Sequence, residues 1–516
     1  MGAMLHPAAC GVLTCRGALP ATQRNERRRM GPAMRVSTDE KQSFIVVGAG
    51  ISGLVAAAIL SRHANVTVHE RAPHCGGKIR AERVGNREVD TGPTVFTMRS
   101  IFAEAFAAAG GDLDSALSLH PLDILARHFW TGGERLDLFA DVDASVQSIR
   151  EFSGPRDADA YVAFLQDAAR TWRTLYEPFL RLDSPSFVRM MLGASPIGLL
   201  QLDPYTTYWR SLVRRFRDPR LRQLFARYAT YCGSSPFRAS STLKLIAYVE
   251  QQGVWSIDGG MPALAHAFEA QAVRNGADFR YSSDVRLGDT QSDDATVIGE
   301  GGERHKASAI VFTGDAAAIS AAKPLQRSQS AMTWSFLGAA PRGALSTHNV
   351  FFSDDYAKEF EAVFDEGAPP EDPTTYLFAP DRFAGDDPPG EERFFCLINA
   401  PSNGDVRTYE NEELEQCRDN AFRRISSCGV SLNPSPHSTT SNSPATFAER
   451  YPRTGGALFG PPSHGWTAPF RRRGVRIKAR RLYCAGGSVH PGSGLPMAAL
   501  SGLTAARAVM ADFGLT

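Results

Sequence analysis

Apolar residues in this chain gather in short β-branched runs that stop at glycine turns and resume as helical patterns. Ser43-Phe44-Ile45-Val46-Val47 has the continuous apolar character of a buried parallel strand. Residues 54–60 follow in helix-forming types, and Asn65-Val66-Thr67-Val68-His69-Glu70 reads as the next strand. The alternation returns further on. Residues 261–275 have helical composition and stop at Gly276, while 279–285 and 309–315 read as strands. Residues 481–485 form a strand-like run that breaks into glycines before a helical stretch at 497–510. Between 110 and 239 the pattern predicts helices, one of them capped by Asp218-Pro219 with Leu221, Leu224, Phe225 and Tyr228 on one face. From about 332 to 461, runs such as Phe394-Phe395-Cys396-Leu397-Ile398 alternate with loops, as in a sheet. Loops such as Asp386-Asp387-Pro388-Pro389 read as solvated.

The first turn is chemically specific. Gly48-Ala49-Gly50-Ile51-Ser52-Gly53 joins strand to helix, and Glu70 ends the next strand 20 positions after Gly50. Strand, glycine turn, helix, strand and acid together make a dinucleotide fingerprint. Gly48 serves the tight turn, Gly50 the approach of a pyrophosphate, and Gly53 the close packing of helix on strand. The helix N-terminus offers N–H groups and positive dipole to phosphate, and Glu70 can accept ribose hydroxyls. The extension Arg71-Ala72-Pro73-His74-Cys75-Gly76-Gly77-Lys78, followed by Asp90-Thr91-Gly92-Pro93, points to FAD; NAD dehydrogenases have no reason to carry it. At the other end, Gly486-Gly487-Ser488-Val489-His490-Pro491-Gly492-Ser493-Gly494-Leu495-Pro496 again sets a glycine loop before a helix. That helix terminus would face the flavin N1–C2=O edge, where negative charge gathers on reduction, a contribution of about 0.3–1 kcal/mol when exposed and up to ~2 when partly buried. His490 is either a group beside the ring or a histidine fixed in a turn.

The 516 residues are about three domains' worth of chain, and 43% hydrophobic with 22% charged residues excludes global disorder. Lys+Arg number 56 against 55 Asp+Glu, which favours no nucleic-acid partner. The 8 cysteines contain no C-x-x-C pair, so neither a disulfide framework nor a metal site is expected. Residues 42–61 and 484–506 are long and uncharged enough for a membrane span, but glycines and prolines at their centres argue against one. Residues 1–42 are arginine-rich without a signal-peptide apolar core. They read as a disordered tail, with a plastid transit peptide as the alternative.

The two ends together resemble the bacterial carotenoid (phytoene) desaturase family of FAD-dependent oxidoreductases, whose C-terminal signature G-x-x-x-H-P-G-x-G-x-P matches Gly486 to Pro496. The resemblance continues through 218–225, 229–237, 257–261 and 348–353, covering nearly everything after residue 43. Within the family, 349–356, 372–374 with 380–382, and 399–401 are most similar to hydroxyneurosporene (methoxyneurosporene) desaturases. The resemblance implies an α/β, amine-oxidase-like flavoprotein with two dinucleotide-binding domains. Its Rossmann-type FAD domain comes in pieces (43–109, 240–325, 475–516), beside a helical substrate and membrane subdomain (110–239) and a β-rich substrate domain (326–474). It implies one FAD gripped by Gly48, Gly50, Ser52, Gly53, Glu70, Arg71, Gly77, Lys78, Gly92 and Pro93, by backbone near Val285 at the adenine, and by Gly486, Gly487, Gly494, Leu495, Pro496 and Met497. The implied reaction removes two hydrogens from an acyclic carotenoid of 1-hydroxy- or 1-methoxy-neurosporene type, at the 3,4 bond. The electrons pass on to a quinone or to oxygen. Phytoene desaturase or carotenoid isomerase, an amine or porphyrinogen oxidase, and a non-catalytic binder of prenylated proteins are the other readings.

Residues 187–200 carry Met190, Met191, Leu192, Ile197, Leu199 and Leu200 within eleven positions, and arginines at 210, 214, 215, 217, 220, 222 and 227 follow, opposed in that stretch only by Asp218. An apolar loop beside a basic cluster fits peripheral docking on the cytoplasmic side of an anionic membrane. A buried helix pair with a solvated charged face is the alternative. No sequence motif identifies an acid or base for the chemistry.

Overall fold

A computed structural model describes residues 42–289, 294–319, 326–383, 387–477 and 481–515. All but the last residue of the expected tail at 1–42, and Asp386 of the expected solvated loop, lie outside them. Lys41–Thr516 forms one compact unit. Its cofactor-side sheet is parallel throughout, in the order Leu482–Cys484, Ala309–Phe312, Ser43–Val47, Asn65–His69, Asp278–Arg280. The chain steps from Ser43–Val47 to one neighbour and much later to the other. The carboxyl end of that strand is therefore a topological switch point, where an open α/β sheet binds its ligand. The helix Ile51–Leu60 is buried along its whole length, as its small and apolar sequence requires. Helices Leu495–Phe513 and Met261–Arg274 pack against it. A Cβ on Gly502 would lie 2.3 Å from the carbonyl oxygen of Ser52, so the first and last helices touch backbone to backbone there.

A second sheet of seven strands runs Asn433–Asn442, Ser330–Ala339, Glu392–Ala400, Thr375–Phe378, His348–Phe351, Ile124–Trp130, Glu134–Phe139. Alternation splits its side chains between two faces. Met332, Trp334, Phe336, Phe351, Leu377, Cys396 and Ile398 pack with Cys417, Ala421 and Ile425 of the helix Asn411–Ser427. The opposite face carries His348, Val350, Tyr376, Phe378, Phe395 and Leu397. It is partly covered by Val84 and Val89 of the hairpin that precedes Gly92.

Two expectations are corrected. Residues 110–239 are not helical from their start: Ile124–Trp130 and Glu134–Phe139 complete the substrate sheet, the first pairing in parallel with His348–Phe351. Residues 279–285 are not one strand. Asp278–Arg280 and Val285–Leu287 belong to different sheets, parted at Ser282, which has φ +50°. Among the described residues no helix is long and apolar enough to cross a membrane.

Candidate active site

The glycine turn is built by close contacts. Gly48 has φ +102°, and a Cβ there would sit 2.7 Å from Thr313 Oγ1; one on Gly53 would sit 2.0 Å from the Gly48 carbonyl. Gly50 differs. Its φ is −71° and the nearest atom to a Cβ would be Gly77 Cα at 3.9 Å, so its open side faces the crevice. Gly50 caps Ile51–Leu60 without any side-chain hydrogen bond, which leaves the first N–H groups of the helix to a ligand. Ser52 is buried in that first turn. Glu70 Oε2 accepts the Ala49 N–H at 2.6 Å and Oε1 the Ala72 N–H at 2.8 Å, and each oxygen keeps a lone pair for a hydroxyl. Uncapped helix N–H groups, two facing glycines and a half-committed carboxylate fit a ribosyl pyrophosphate.

The C-terminal loop meets this turn. Ala485 N–H donates to the Phe312 carbonyl at 3.0 Å, and a Cβ on Gly486 would lie 3.6 Å from Ser52 Oγ. Gly487 accepts from Arg472 Nη1 at 3.0 Å. Gly494 has φ +103° and caps Leu495–Phe513 without a side-chain bond, so Leu495, Pro496 and Met497 form an uncapped first turn. Gly92 packs against the Lys78 carbonyl, where a Cβ would be 2.0 Å away, and Pro93 follows it half-buried. Lys78 Nζ donates to the Leu458 carbonyl and stands 5.2 Å over the Tyr451 ring. Burial lowers its pKa, against the pull of Asp315. Arg71 is exposed at the rim, 3.8 Å from Asp284. Val285 opens its own strand two residues after Ser283, whose N–H donates to the Glu70 carbonyl.

The model of the flavin-containing amine oxidoreductase family matches residues 51–510. The chain belongs to this family. It is 43% identical to a hydroxyneurosporene desaturase of Rubrivivax gelatinosus over 92% of this chain and 94% of that protein. It is 27% identical to a 1-hydroxycarotenoid 3,4-desaturase of a Flavobacterium species, over 89% and 96%. The fold is also that of cyclohexylamine oxidase from Brevibacterium oxydans, with a TM-score of 0.55 at 17% identity, over 92% of this chain and 100% of that one. This chain is a carotenoid desaturase family member, an oxidoreductase whose cofactor is FAD.

In this flavoprotein His490 is fully buried, and its Nε2 lies 2.8 Å from the Phe179 carbonyl. A carbonyl only accepts, so the proton is on Nε2; Nδ1 makes no hydrogen bond to any described residue. Burial pushes the pKa down to about 4. The imidazole is neutral and bound to the helical region.

The run of arginines does not form one free basic cluster. Arg227 is buried against Glu250 at 3.0 Å, with the Tyr228 and Tyr231 hydroxyls on the same carboxylate. Arg215 pairs with Asp167 at 2.9 Å, and Arg220 with Asp218 and Glu134. Glu250, Asp167 and Glu134 come from outside the stretch, so the local charge count misled. Arg210, Arg214 and Arg217 are exposed. Leu221, Leu224, Phe225 and Tyr228 are core.

The apolar segment forms two short helices, Phe187–Gly193 and Pro196–Leu200. Leu192, Ile197 and Leu200 are 82%, 68% and 87% exposed, with Phe187, Val188 and Met191 also outward. Met190 corrects the expected contact set: it points inward to Leu175, Phe179 and Leu202, and Leu199 is half-buried beside them. Ser186 and Ser195 cap the two helices and fix which face turns out.

No metal was expected. Cys75, His266 and Glu269 do bring three donor atoms within 4.8 Å of one another. The Cys75 thiol donates to Glu269 at 3.3 Å, and burial pushes its pKa up to about 12. Sequence reasoning missed Thr313, which no local motif marks, since it matters only through its contact with Gly48 and Gly53 across the fold.

Proposed function

We propose that this chain desaturates an acyclic carotenoid of the 1-hydroxyneurosporene type at its 3,4 bond, while docked on the cytoplasmic surface of a membrane. The near-full-length similarity to a hydroxyneurosporene desaturase carries this reading. Bound FAD would supply the acceptor for a hydride from carbon, the second hydrogen leaving as a proton, with a quinone or oxygen as the final acceptor of the electron pair. The chain would hold FAD with the 48–53 turn, Glu70 and the first turn of Leu495–Phe513. The sheet face bearing Val350, Phe378 and Leu397 offers the polyene a dry apolar wall. The outward side chains of 187–200 give a lipophilic substrate a route that avoids water.

The FAD-loaded protein in liposomes, fed 1-hydroxyneurosporene, should convert it to a product with red-shifted absorption. Conversion of phytoene alone would remove the substrate reading, and a protein that takes up no flavin would remove the reaction. Parallel assays with a quinone and with oxygen identify the acceptor by which one sustains turnover.

A further inference from the structure

A hydrocarbon polyene needs nothing polar from the walls around it, yet the face of the seven-stranded sheet that the 81–90 hairpin partly covers carries a hydrogen-bonded chain. Thr94 Oγ1 lies 2.7 Å from Tyr376 Oη, and Tyr376 Oη lies 2.7 Å from His348 Nδ1. Thr94 and His348 are buried and Tyr376 half-buried. The His348 ring stacks on Phe378, with centroids 5.3 Å apart and planes at 18°, which fixes its direction. Its Nε2 makes no hydrogen bond to any described residue. On the adjoining strand His128 is fully buried, and its Nε2 is likewise unpartnered. Burial and Arg227 hold His348 down to about 3, so the ring is neutral. The chain can run in either direction. If Tyr376 donates to Nδ1, Nε2 carries the proton and donates; if Nδ1 donates to Tyr376, Nε2 accepts. A hydroxyl group can satisfy either form.

Position links this chain to the reaction. Thr94 directly follows Gly92-Pro93, part of the grip on FAD that the family resemblance implies. In a 1-hydroxycarotenoid only two carbon–carbon bonds separate the hydroxyl-bearing carbon from the 3,4 bond. A site that oxidises that bond must therefore recognise the hydroxyl beside the redox centre, where a polar group in an otherwise apolar wall is needed. Leaving such a group unpaired against a hydrocarbon is the stronger half of the discrimination.

We propose that Thr94, Tyr376 and His348 form the receptor for the substrate's tertiary hydroxyl and set a preference for hydroxylated over unhydroxylated acyclic carotenoids. This rests on the desaturase reading above. The test compares kcat/KM on 1-hydroxyneurosporene and on neurosporene for the FAD-loaded full chain in liposomes, in the wild type and in Tyr376→Phe, Thr94→Val and His348→Phe. The wild type should favour the hydroxylated substrate. Each variant should lower that ratio by about tenfold, through loss on the hydroxylated substrate alone, with an unchanged flavin spectrum. Tyr376→Phe and Thr94→Val keep the side-chain shape and carry the comparison if His348→Phe does not fold. Equal loss on both substrates, an unchanged ratio, or a wild type indifferent to the hydroxyl would overturn the receptor while leaving the desaturase standing. A flavin-loaded wild type active on neither substrate would overturn the desaturase reading, and the receptor with it.

Discussion

Replacing Leu192, Ile197 and Leu200 together by serine should release the protein from membranes without unfolding it. All three lie on the outer face of the two short helices at 187–200 and are more than two-thirds exposed. Full burial of such a side chain is worth about 1.5–3 kcal/mol, so lipid covering the surface now exposed contributes roughly 5 kcal/mol, or about 10³–10⁴ in partition constant. Because they contact water in the folded protein, their loss should change stability by no more than ~0.5 kcal/mol. Met190 is the contrasting control. It is buried among Leu175, Phe179 and Leu202, so Met190→Ser should cost about 2–5 kcal/mol of stability and leave membrane binding intact in whatever fraction folds. Co-sedimentation with anionic liposomes, alongside thermal unfolding, reads both quantities. Wild-type sedimentation of the triple variant would refute the docking surface, as would a wild type that stays in the supernatant.

Gly50→Ala should fold normally yet lose flavin, because an added methyl meets only Gly77 Cα at 3.9 Å and otherwise fills the crevice. Gly53→Ala should fail to fold, since its methyl would lie 2.0 Å from the Gly48 carbonyl; flavin content against melting temperature separates the two. Glu250→Gln should cost about 3–5 kcal/mol in denaturant unfolding by leaving Arg227 buried without its counter-charge. Burial holds His69, His464 and His490 down to about 4 and His348 to about 3. Between those values and the ordinary 6.5 the unfolded chain binds protons that the folded one refuses, so stability falls as pH drops. Glu359, raised to about 7, and Asp90, raised to about 6, work in the opposite direction but are fewer. The melting temperature should be lower at pH 5 than at pH 7; a higher value at pH 5 would contradict the buried neutral histidines.

The cofactor half was legible because its chemistry is local. A glycine that must approach backbone or phosphate, and an acid at a strand end, leave a mark within thirty residues. The substrate half was not. The strand Ile124–Trp130 is set by a parallel partner more than two hundred positions away, and its periodicity alone could not separate it from the helices that follow. The arginines after 210 looked unopposed because Asp167, Glu134 and Glu250 lie outside their stretch. Counting apolar residues in 187–200 marked the right segment but could not tell the inward Met190 from the outward Leu192, which depends on where each helix is capped.

His490 shows how the two halves are joined. Its carbonyl accepts from Ser501 Oγ, which itself accepts the Gly486 N–H, so the cofactor loop is tied to the C-terminal helix. Its imidazole donates across the boundary to Phe179, in the turn Tyr176–Leu180 that closes the long helix Pro155–Leu175. Phe179 also packs on Met190, the buried root of the outward apolar segment. One neutral ring thus links the loop expected at the flavin to the element expected in lipid. A substitution that keeps an aromatic ring but removes its donor, such as His490→Phe, leaves the Phe179 carbonyl with only backbone donors of its own turn, the Leu182 N–H at 3.1 Å among them. The lost hydrogen bond, worth about 0.5–1.5 kcal/mol, falls at the junction and not on any reacting atom. The resulting protein should retain its flavin and lose thermal stability, whereas an imidazole acting in the chemistry would leave stability intact and turnover abolished.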